Sequence, residues 1–347
     1  MQIATAKETY RADQALLSTR PQQVWMGLFI AALLLLPFMA NNYVLYLACL
    51  VLINVAAATG LNILTGFTGL VSLGHGAFMA VGAYTVAVAE MHTGLPFPVN
   101  LLLAGLVAAG VGRVVGIPSL RVKGLYLAIA TIGASIILQF VFLNWTSVTG
   151  GSRGINVAPA SVFGVELTTY FSLYWVFMPL TVLMVLGAAN LFRTRIGRAF
   201  IAIRDRDISA EVLGIPLLRY KLMSFGISSF YAGVAGGMWA YFFRAVGPES
   251  FTLLQSIFFL AAIIVGGMGS ILGGIVGAVF MTLVPEVLRL GVDLVSPFVD
   301  NAQALFAPVR TIIFGALIIA FLVFEPQGLA EIINRVRRSW HLWPFRK

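Results

Sequence analysis

The sequence has very few residues that carry sulfur or charge chemistry. Its 347 residues include one cysteine, Cys49, and three histidines, and the charged residues make up only 10%. One cysteine excludes a disulfide within the chain, and scattered histidines exclude a clustered metal site. No Ser/His/Asp or Cys/His arrangement is present, and no glycine is followed by lysine, which excludes the usual ATP-binding phosphate loop. We expect a protein that is not an enzyme, with no cofactor and no metal.

Apolar residues are what the sequence has in abundance. They make up 60% of the chain, and the mean hydropathy is +0.95. Too few polar residues remain to cover a soluble globule, so lipid must be the solvent for most of the surface. Lipid offers no hydrogen bonds to the backbone, and apolar runs of this length favour helices over a barrel. The sequence predicts an all-α, polytopic transmembrane helical bundle.

Apolar runs long enough to cross a bilayer predict about ten spans. The first run follows basic residues and could mimic a signal peptide, but it has no clear cleavage site, so we predict a retained span. The spans divide the chain into a tail of residues 1–23, a transmembrane domain of residues 24–329 and a basic tail of residues 330–347. The predicted spans are Val24–Ala40, Tyr43–Ile63, His75–Met91, Val99–Gly116, Leu125–Leu143, Phe171–Leu191, Leu222–Phe243, Ser256–Gly267, Leu272–Leu290 and Pro308–Phe324.

The basic residues predict the topology. With the N-terminus inside and the spans alternating, eighteen of the 22 Lys and Arg fall on inner segments. Only Arg153, Arg244, Arg289 and Arg310 fall outside. The positive-inside rule then places both termini in the cytoplasm. The net charge of +9 reflects this topology and anionic lipid, and we expect no nucleic-acid partner.

Residues 193–221 form the one long internal segment that is dense in charge, with seven Lys or Arg and three Asp or Glu. Its pattern predicts a short amphipathic helix that ends at Gly214 and Pro216. Such a helix at the cytoplasmic face of the membrane is suited to press on a cytoplasmic motor. Its apolar residues are Ile196, Phe200, Ile203, Ile208, Val212 and Leu213, and its polar residues are Arg204, Asp205, Arg206, Asp207 and Glu211.

The middle of every predicted span is free of Asp, Glu, Lys and Arg. Glu90, Glu249, Glu286 and Arg289 all fall near span ends. A carrier driven by protons or sodium typically keeps ionisable residues near the bilayer midplane. The energy for transport should therefore come from outside this chain. A stand-alone passive channel or secondary carrier is the alternative from a different class.

Two glycine-rich segments, which begin at Gly66 and Gly266, share glycines at an offset of 200 residues, and this spacing indicates an internal repeat. Gly60–Gly76 and Ser256–Gly267 are either full spans or broken segments. Any single glycine, and His75, can serve packing alone, and Thr131 is interpreted as structural. Together we expect the two regions to line the translocation pathway. The candidate residues are Asn62, Thr65, Gly66, Thr68, Gly69, Ser72, His75, Gly266, Gly267 and Gly269.

Several ordered blocks between Leu45 and Leu329 carry a family resemblance. They are GLNILTGFTGLVSLGHGAFMAVGAY, LRVKGLYLAIATIG, TGGSRGI, IGRAFIAIRDRDISAEVLGI, KLMSFGISSFYAGVAGG, GPESF, IIVGGMGSILGGIVGA and FEPQGL. With these blocks the chain closely resembles the membrane subunits of branched-chain amino-acid ABC importers, specifically the longer of the two paired permeases. Similar sequences serve urea, short amides and aromatic acids, so the blocks do not fix the solute.

The resemblance implies a multi-pass subunit of the bacterial inner membrane with three kinds of partner. They are a sister permease, two cytoplasmic ATP-binding subunits and a periplasmic solute-binding protein. It also implies that residues 193–221 contain the helix that docks on the ATPase, although the segment SAEVLGIP only approximates the EAA triplet of other importers. The coupling residues would be Arg204, Asp205, Asp207, Glu211 and Gly214. The outer loops would receive the binding protein at Gly150, Gly151, Arg153 and Glu249.

Overall fold

The computed structural model describes residues 20–119, 124–162 and 164–295, and isolated positions between 312 and 335. Helices dominate this part of the chain, and its short strands pair only two by two. The helices are α1 Arg20–Met39, α2 Asn42–Leu61, α3 His75–Thr93, α4 Phe97–Ser119, α5 Leu125–Asn144, α6 Thr146–Thr149, α7 Tyr170–Arg193, α8 Arg195–Asp205, α9 Asp207–Val212, α10 Leu217–Phe243, α11 Leu253–Gly266 and α12 Ile271–Val295.

Nine of the predicted spans fall within the described residues, and each coincides with one of these helices. Six helical segments are long and apolar enough to cross a membrane. They are Asn42–Phe67, Phe97–Pro118, Leu125–Asn144, Tyr170–Arg193, Pro248–Gly266 and Ile271–Gly291. The tenth predicted span, Pro308–Phe324, and both predicted tails lie largely outside the described residues. The all-α, polytopic fold is confirmed, and the protein crosses the membrane several times.

Glycines bring the central helices α3, α4 and α10 into close contact. A Cβ on Gly82 of α3 would overlap the backbone of Gly233 on α10, and one on Gly236 would overlap the carbonyl of Met79. A Cβ on Gly233 would also come 2.5 Å from the carbonyl oxygen of Ala104 on α4. Only glycine permits backbones to approach this closely. Packing therefore explains these three glycines.

The long helices α7 and α10 run between two ends of the bundle. Each has one end at residues 195–212, which connect them, and the other end in loops that follow α5 and α10. We name the first the glycine end, formed by residues 62–74, 195–212 and 266–270. The second is the cap end, formed by residues 145–169 and 244–251.

Backbone pairing joins the two loops of the cap end. Strand β1 (Ile155–Asn156) pairs antiparallel with β4 (Ala245–Val246), and the amide of Val157 donates to the carbonyl of Arg244 at 2.9 Å. Between them lies a hairpin of β2 (Ala160–Val162) and β3 (Val165–Leu167). The sequence indicated loops here, and the short strands were not predicted. They hold the loops against each other over the ends of the helices.

The single amphipathic helix predicted within residues 193–221 is wrong in one respect. The segment forms two helices, α8 and α9, and Arg206 between them is extended, with φ −157° and ψ 108°. Contacts to different parts of the protein hold the two sides of this break, since Arg204 bonds Gly66 and Asp207 pairs with Lys221. The predicted end is confirmed, because Gly214 adopts φ +82° after α9 and the amide of Ile215 donates back to Ala210.

Candidate coupling site

The glycine end contains two interrupted helices. Helix α2 continues into a π-helical turn, Asn62–Phe67, and the chain then runs without regular structure to the start of α3 at His75. Gly60–Gly76 is therefore a broken segment. Its counterpart passes from α11 to α12 through a short turn, and the two segments share one backbone feature, because Gly69 has φ +74° and Gly269 has φ +75°. This match supports the predicted repeat, since only glycine adopts such a φ without strain.

Asn62 fastens the two interrupted helices together. Its side-chain oxygen accepts a hydrogen bond from the amide of Gly269 at 3.0 Å, and its side-chain nitrogen donates to the carbonyl of Ser270 at 2.7 Å. Asn62 is buried, and Gly66 packs so closely on it that a Cβ there would overlap its oxygen. One side chain thus satisfies two backbone groups of the other segment. The partners that a polar residue in this position requires are present.

The other polar residues predicted to line the pathway are also buried and hydrogen-bonded within the chain. Thr65 and Thr68 donate to backbone carbonyls of their own broken segment, and Ser72 accepts from the amide of Gly74. His75 lies 2.9 Å from the carbonyl of Ala57 and packs edge-on against Phe259. These contacts brace the bend between α2 and α3, as the packing interpretation of His75 expects.

Thr131 and Ser256 brace the same bend from neighbouring helices. The hydroxyl of Thr131 accepts from the amide of Leu73 at 2.9 Å, and that of Ser256 accepts from the amide of Gly76 at 2.9 Å. Backbone groups that leave a helix need such partners in a membrane protein. Thr131 therefore has the structural role that we expected.

Arg204, at the end of α8, reaches the point where the two interrupted helices meet. Its Nη1 donates to the carbonyl of Gly66 at 3.1 Å. A Cβ on Gly69 would come 3.1 Å from its Cγ, and a Cβ on Gly269 would come 2.6 Å from its Nη1. The remaining guanidinium nitrogens contact the carboxylate of Asp205 at 3.2 and 3.1 Å. One nitrogen of this predicted coupling residue is thus bonded within its own chain, while the residue as a whole stays exposed.

Helix α9 presents an apolar surface beside these charges. Ile208, Val212 and Leu213 are 70%, 83% and 79% exposed, and we name these three side chains the docking face. Glu211 is exposed next to them, whereas Asp207 lies 3.8 Å from Lys221 across the start of α10. Burying three aliphatic side chains of this kind contributes about 1.5–3 kcal/mol each. The surface can therefore bind a complementary apolar groove.

The predicted outer docking residues lie close together at the cap end. Gly150, Gly151 and Arg153 follow α5, and Glu249 lies in the turn after β4. The β1–β4 pair joins their loops, and a Cβ on Gly154 would overlap the carbonyl of Val246. Arg153 and Glu249 are both exposed, while Gly151 is buried beneath them. The two side chains therefore belong to one surface.

Reading the sequence alone missed one feature of the glycine end. Arg204 and Ser270 belong to one joint with Asn62 and Gly66, which lie more than a hundred residues away. Only the shared glycine spacing hinted that these segments meet. The apolar residues of the docking face, Ile208, Val212 and Leu213, were already among the apolar residues that the sequence assigned to the amphipathic segment. Within the described residues no group of three His, Cys, Asp or Glu could hold a metal.

Comparison with known proteins identifies the family. The family model described as branched-chain amino acid transport system / permease component matches residues 43–322. The high-affinity branched-chain amino acid transport system permease protein LivM of Escherichia coli K12 is 36% identical over 330 residues, which cover 87% of this chain and 74% of that protein. The corresponding protein LivH of the same organism is 28% identical over 295 residues, which cover 78% of this chain and 89% of that protein.

Among solved structures, PsaBC from Streptococcus pneumoniae in complex with Fab covers 89% of this chain and 100% of its own, at 16% identity and a TM-score of 0.41. That similarity is too low to support a structural argument. The family match and the LivM relative are sufficient without it. This chain belongs to the branched-chain amino acid transport permease family, and it is a multi-pass transport subunit and not an enzyme.

Proposed function

We propose that this chain is the permease subunit of an ATP-driven importer in the bacterial inner membrane, with branched-chain or other hydrophobic amino acids as its solutes. It pairs with a sister permease and receives force from two cytoplasmic ATP-binding subunits. Its similarity to both LivM and LivH, two permeases named for one kind of transport system, supports the pairing. We infer the coupling to ATP hydrolysis from the exposed docking face on α9.

We propose ten spans with both termini in the cytoplasm. If the helices cross alternately, the segments that the positive-inside rule assigns to the cytoplasm are those that meet at the glycine end. Residues 62–74, 195–212 and 266–270 are in contact there. The loops assigned to the outside meet at the cap end, and Glu286 and Arg289 contact Tyr43 at the start of α2, as the same alternation requires. An odd number of crossings between any two of these segments would place them on opposite faces of the membrane.

We propose that the two interrupted helices close the pathway at its cytoplasmic end. Their polar side chains hold the bend in shape and leave glycine backbone at the meeting point. Interrupted helices at substrate sites are a recurring feature of transporters, because irregular backbone can then face a cavity and not lipid. Opening this joint would release the solute to the cytoplasm.

The cap end is the surface that we assign to a periplasmic solute-binding protein. Arg153 and Glu249 offer one exposed charge of each sign on loops that backbone pairing holds in place. A binding protein that selects the solute explains why the chain needs few specific groups of its own. Urea, short amides and aromatic acids are the alternative solutes, and calorimetry on the cognate binding protein distinguishes them.

The coupling assignment is tested by Val212→Glu in the assembled complex in liposomes. A carboxylate in a buried apolar contact costs free energy, so we expect ATPase binding and solute-stimulated ATP hydrolysis to fall about ten-fold or more. Val212→Ile is the matched control, because it keeps the apolar surface. Co-purification of the sister permease shows that the variant has folded. Unchanged stimulation in Val212→Glu contradicts the assignment.

The stand-alone channel or carrier is tested by reconstituting this chain by itself. An importer subunit of this kind gives no solute uptake without ATP and its partners. Uptake into liposomes that contain only this chain favours the alternative and rejects the proposal.

A further inference from the structure

We propose that Arg204 transmits the movement of α8 and α9 to the joint between the two interrupted helices. The inference rests on the proposed function, and it concerns how force passes from the docking face to the pathway. Arg204 stands between the two, since it lies in the last turn of α8, three positions before α9 begins, and contacts glycines of both segments.

The side chain of Arg204 spans the distance from α8 to the joint. The guanidinium of Arg204 donates to the carbonyl of Gly66. A Cβ on Gly269 would lie 2.6 Å from Nη1 of Arg204. Asn62 completes the joint by bonding Gly269 and Ser270. A displacement of α8 therefore acts on both segments at one place. These groups can converge because Gly66, Gly69 and Gly269 have no Cβ.

Asp205 holds the other side of the guanidinium. It accepts from Nε and Nη2 of Arg204, and its side chain is 62% exposed. A planar guanidinium can bond a carboxylate with two nitrogens and still direct a third at a carbonyl, which an ammonium cannot do. This geometry links the water-facing end of α8 to the buried backbone of Gly66. It requires arginine and not only a positive charge.

Space for movement lies beside this contact. A cavity of about 490 Å³ is bounded by Gly69 and Leu70 on one side and by residues 203–209 and Lys221 on the other. One wall belongs to the interrupted helix that includes Gly69, and the other belongs to the end of α8, the start of α9 and Lys221 of α10. Phe200 is fully buried on α8 and does not line this cavity, so we expect closure or widening of the cavity to change the separation of the two walls without unpacking the helices.

Arg204→Gln in the complete complex tests the proposal. Val71 and Met268, on the two segments, are 37% and 53% exposed and are replaced by cysteines for spin labels, while Cys49 is fully buried and stays unlabelled. In the wild type we expect the distance between the labels to change when ATP binds. Arg204→Gln should keep its ATPases bound, lose this change, and move about ten-fold less solute per ATP hydrolysed.

Arg198→Gln is the matched control. Arg198 lies on the same helix and also donates to a backbone carbonyl, that of Arg193 at 3.1 Å. Unlike Arg204, Arg198 is not among the nearest neighbours of Gly69 or Gly269. It should behave as the wild type. Arg204→Lys is the second variant, for use if Arg204→Gln fails to assemble, because lysine keeps the positive charge. It should also lose the ATP-dependent change in distance.

Two results would overturn the proposal. One is an ATP-dependent distance change and solute transport per ATP that survive in both Arg204 variants. The other is a wild-type complex that transports with ATP while the label distance stays constant. Failure of the proposed function looks different, since the wild-type chain would then transport without ATP-binding subunits.

Discussion

The two ends of the bundle are held together by different kinds of contact. At the cap end, backbone pairs with backbone between β1 and β4, and a cluster of Glu90, Asn100 and Tyr241 lies beneath. At the glycine end, single side chains reach across to the backbone of another segment, and the main ones are Asn62 and Arg204. A strand pair resists sliding along its whole length, whereas a side-chain contact is lost in one step.

This difference assigns different tasks to the two ends. Loops that must present a fixed surface to a binding protein benefit from backbone pairing. A joint that must open and close benefits from a small number of contacts, each of which can break. The glycine end also lies next to the docking face, so the less firmly held end is the one exposed to force. Three substitutions test this comparison, beginning with the largest effect.

Gly66→Ala should disrupt the glycine end. The new Cβ would overlap the side-chain oxygen of Asn62 and the amide of Gly269, so the two segments must separate. Overpacking costs about 1–3 kcal/mol, and buried amides left without partners cost about 1–3 kcal/mol more. We expect a lower temperature of unfolding for the chain in detergent and loss of transport.

Gly110→Ala is the control for this substitution. Gly110 lies within α4, and a Cβ there meets nothing within 4 Å, so the unfolding temperature should stay the same or rise slightly. Equal unfolding temperatures for the two alanine variants would show that the segments do not meet as closely as described.

Arg153→Glu should weaken docking at the cap end and leave the fold intact. Arg153 is exposed, so its contribution resembles that of a surface ion pair, and the affinity of the binding protein should fall about two- to five-fold. Surface plasmon resonance with the solute-loaded binding protein measures the change. Arg198→Glu, the same change of charge at an exposed position on α8 at the opposite end, is the control. Unaltered affinity in Arg153→Glu would count against this surface as the docking site.

Tyr241→Phe should have the smallest effect on transport. The hydroxyl lies 3.0 Å from the side-chain nitrogen of Asn100 and 2.9 Å from Glu90, but Asn100 keeps its bonds to Glu90 and to the carbonyl of Leu95. The variant loses both bonds of the hydroxyl, at about 0.5–1.5 kcal/mol each in folding free energy. Tyr126→Phe, at a 72% exposed position, is the control in the same thermal assay. A large loss of transport in Tyr241→Phe would show that the cap end moves.

Most of the helices could be predicted from the sequence, because length and hydropathy alone decide which segments enter lipid. The segment of residues 193–221, between α7 and α10, could also be recognised from its dense charge. Its division at Arg206 could not be predicted, because the break depends on contacts of Arg204 and Asp207 with residues far along the chain. The short strands of the cap end were missed for a similar reason, since β1 and β4 lie about ninety residues apart.

The candidate site was predicted by residue type and less well by role. Asn62, Gly66 and Gly269 were assigned to one region on the basis of the glycine spacing, and the structure brings these three residues into contact. That Arg204 bonds Gly66 while it stays exposed could not be inferred, because the two residues lie 138 positions apart. The lining of the pathway and the contacts with the ATP-binding subunits stay predictions. They depend on surfaces that a single chain does not determine.

The contacts of Asn62 also constrain how the protein is made. Its two partners follow it by 207 and 208 residues, so they are synthesised long after α2. At about 5–20 residues per second, roughly 10–40 s pass before Gly269 leaves the ribosome. Throughout that interval a polar amide at the end of an apolar helix lacks its final hydrogen bonds, and burying it unpaired is costly. The helices of the first half of the nascent protein therefore stay incompletely packed in the membrane until the segment that contains Gly269 and Ser270 has been inserted.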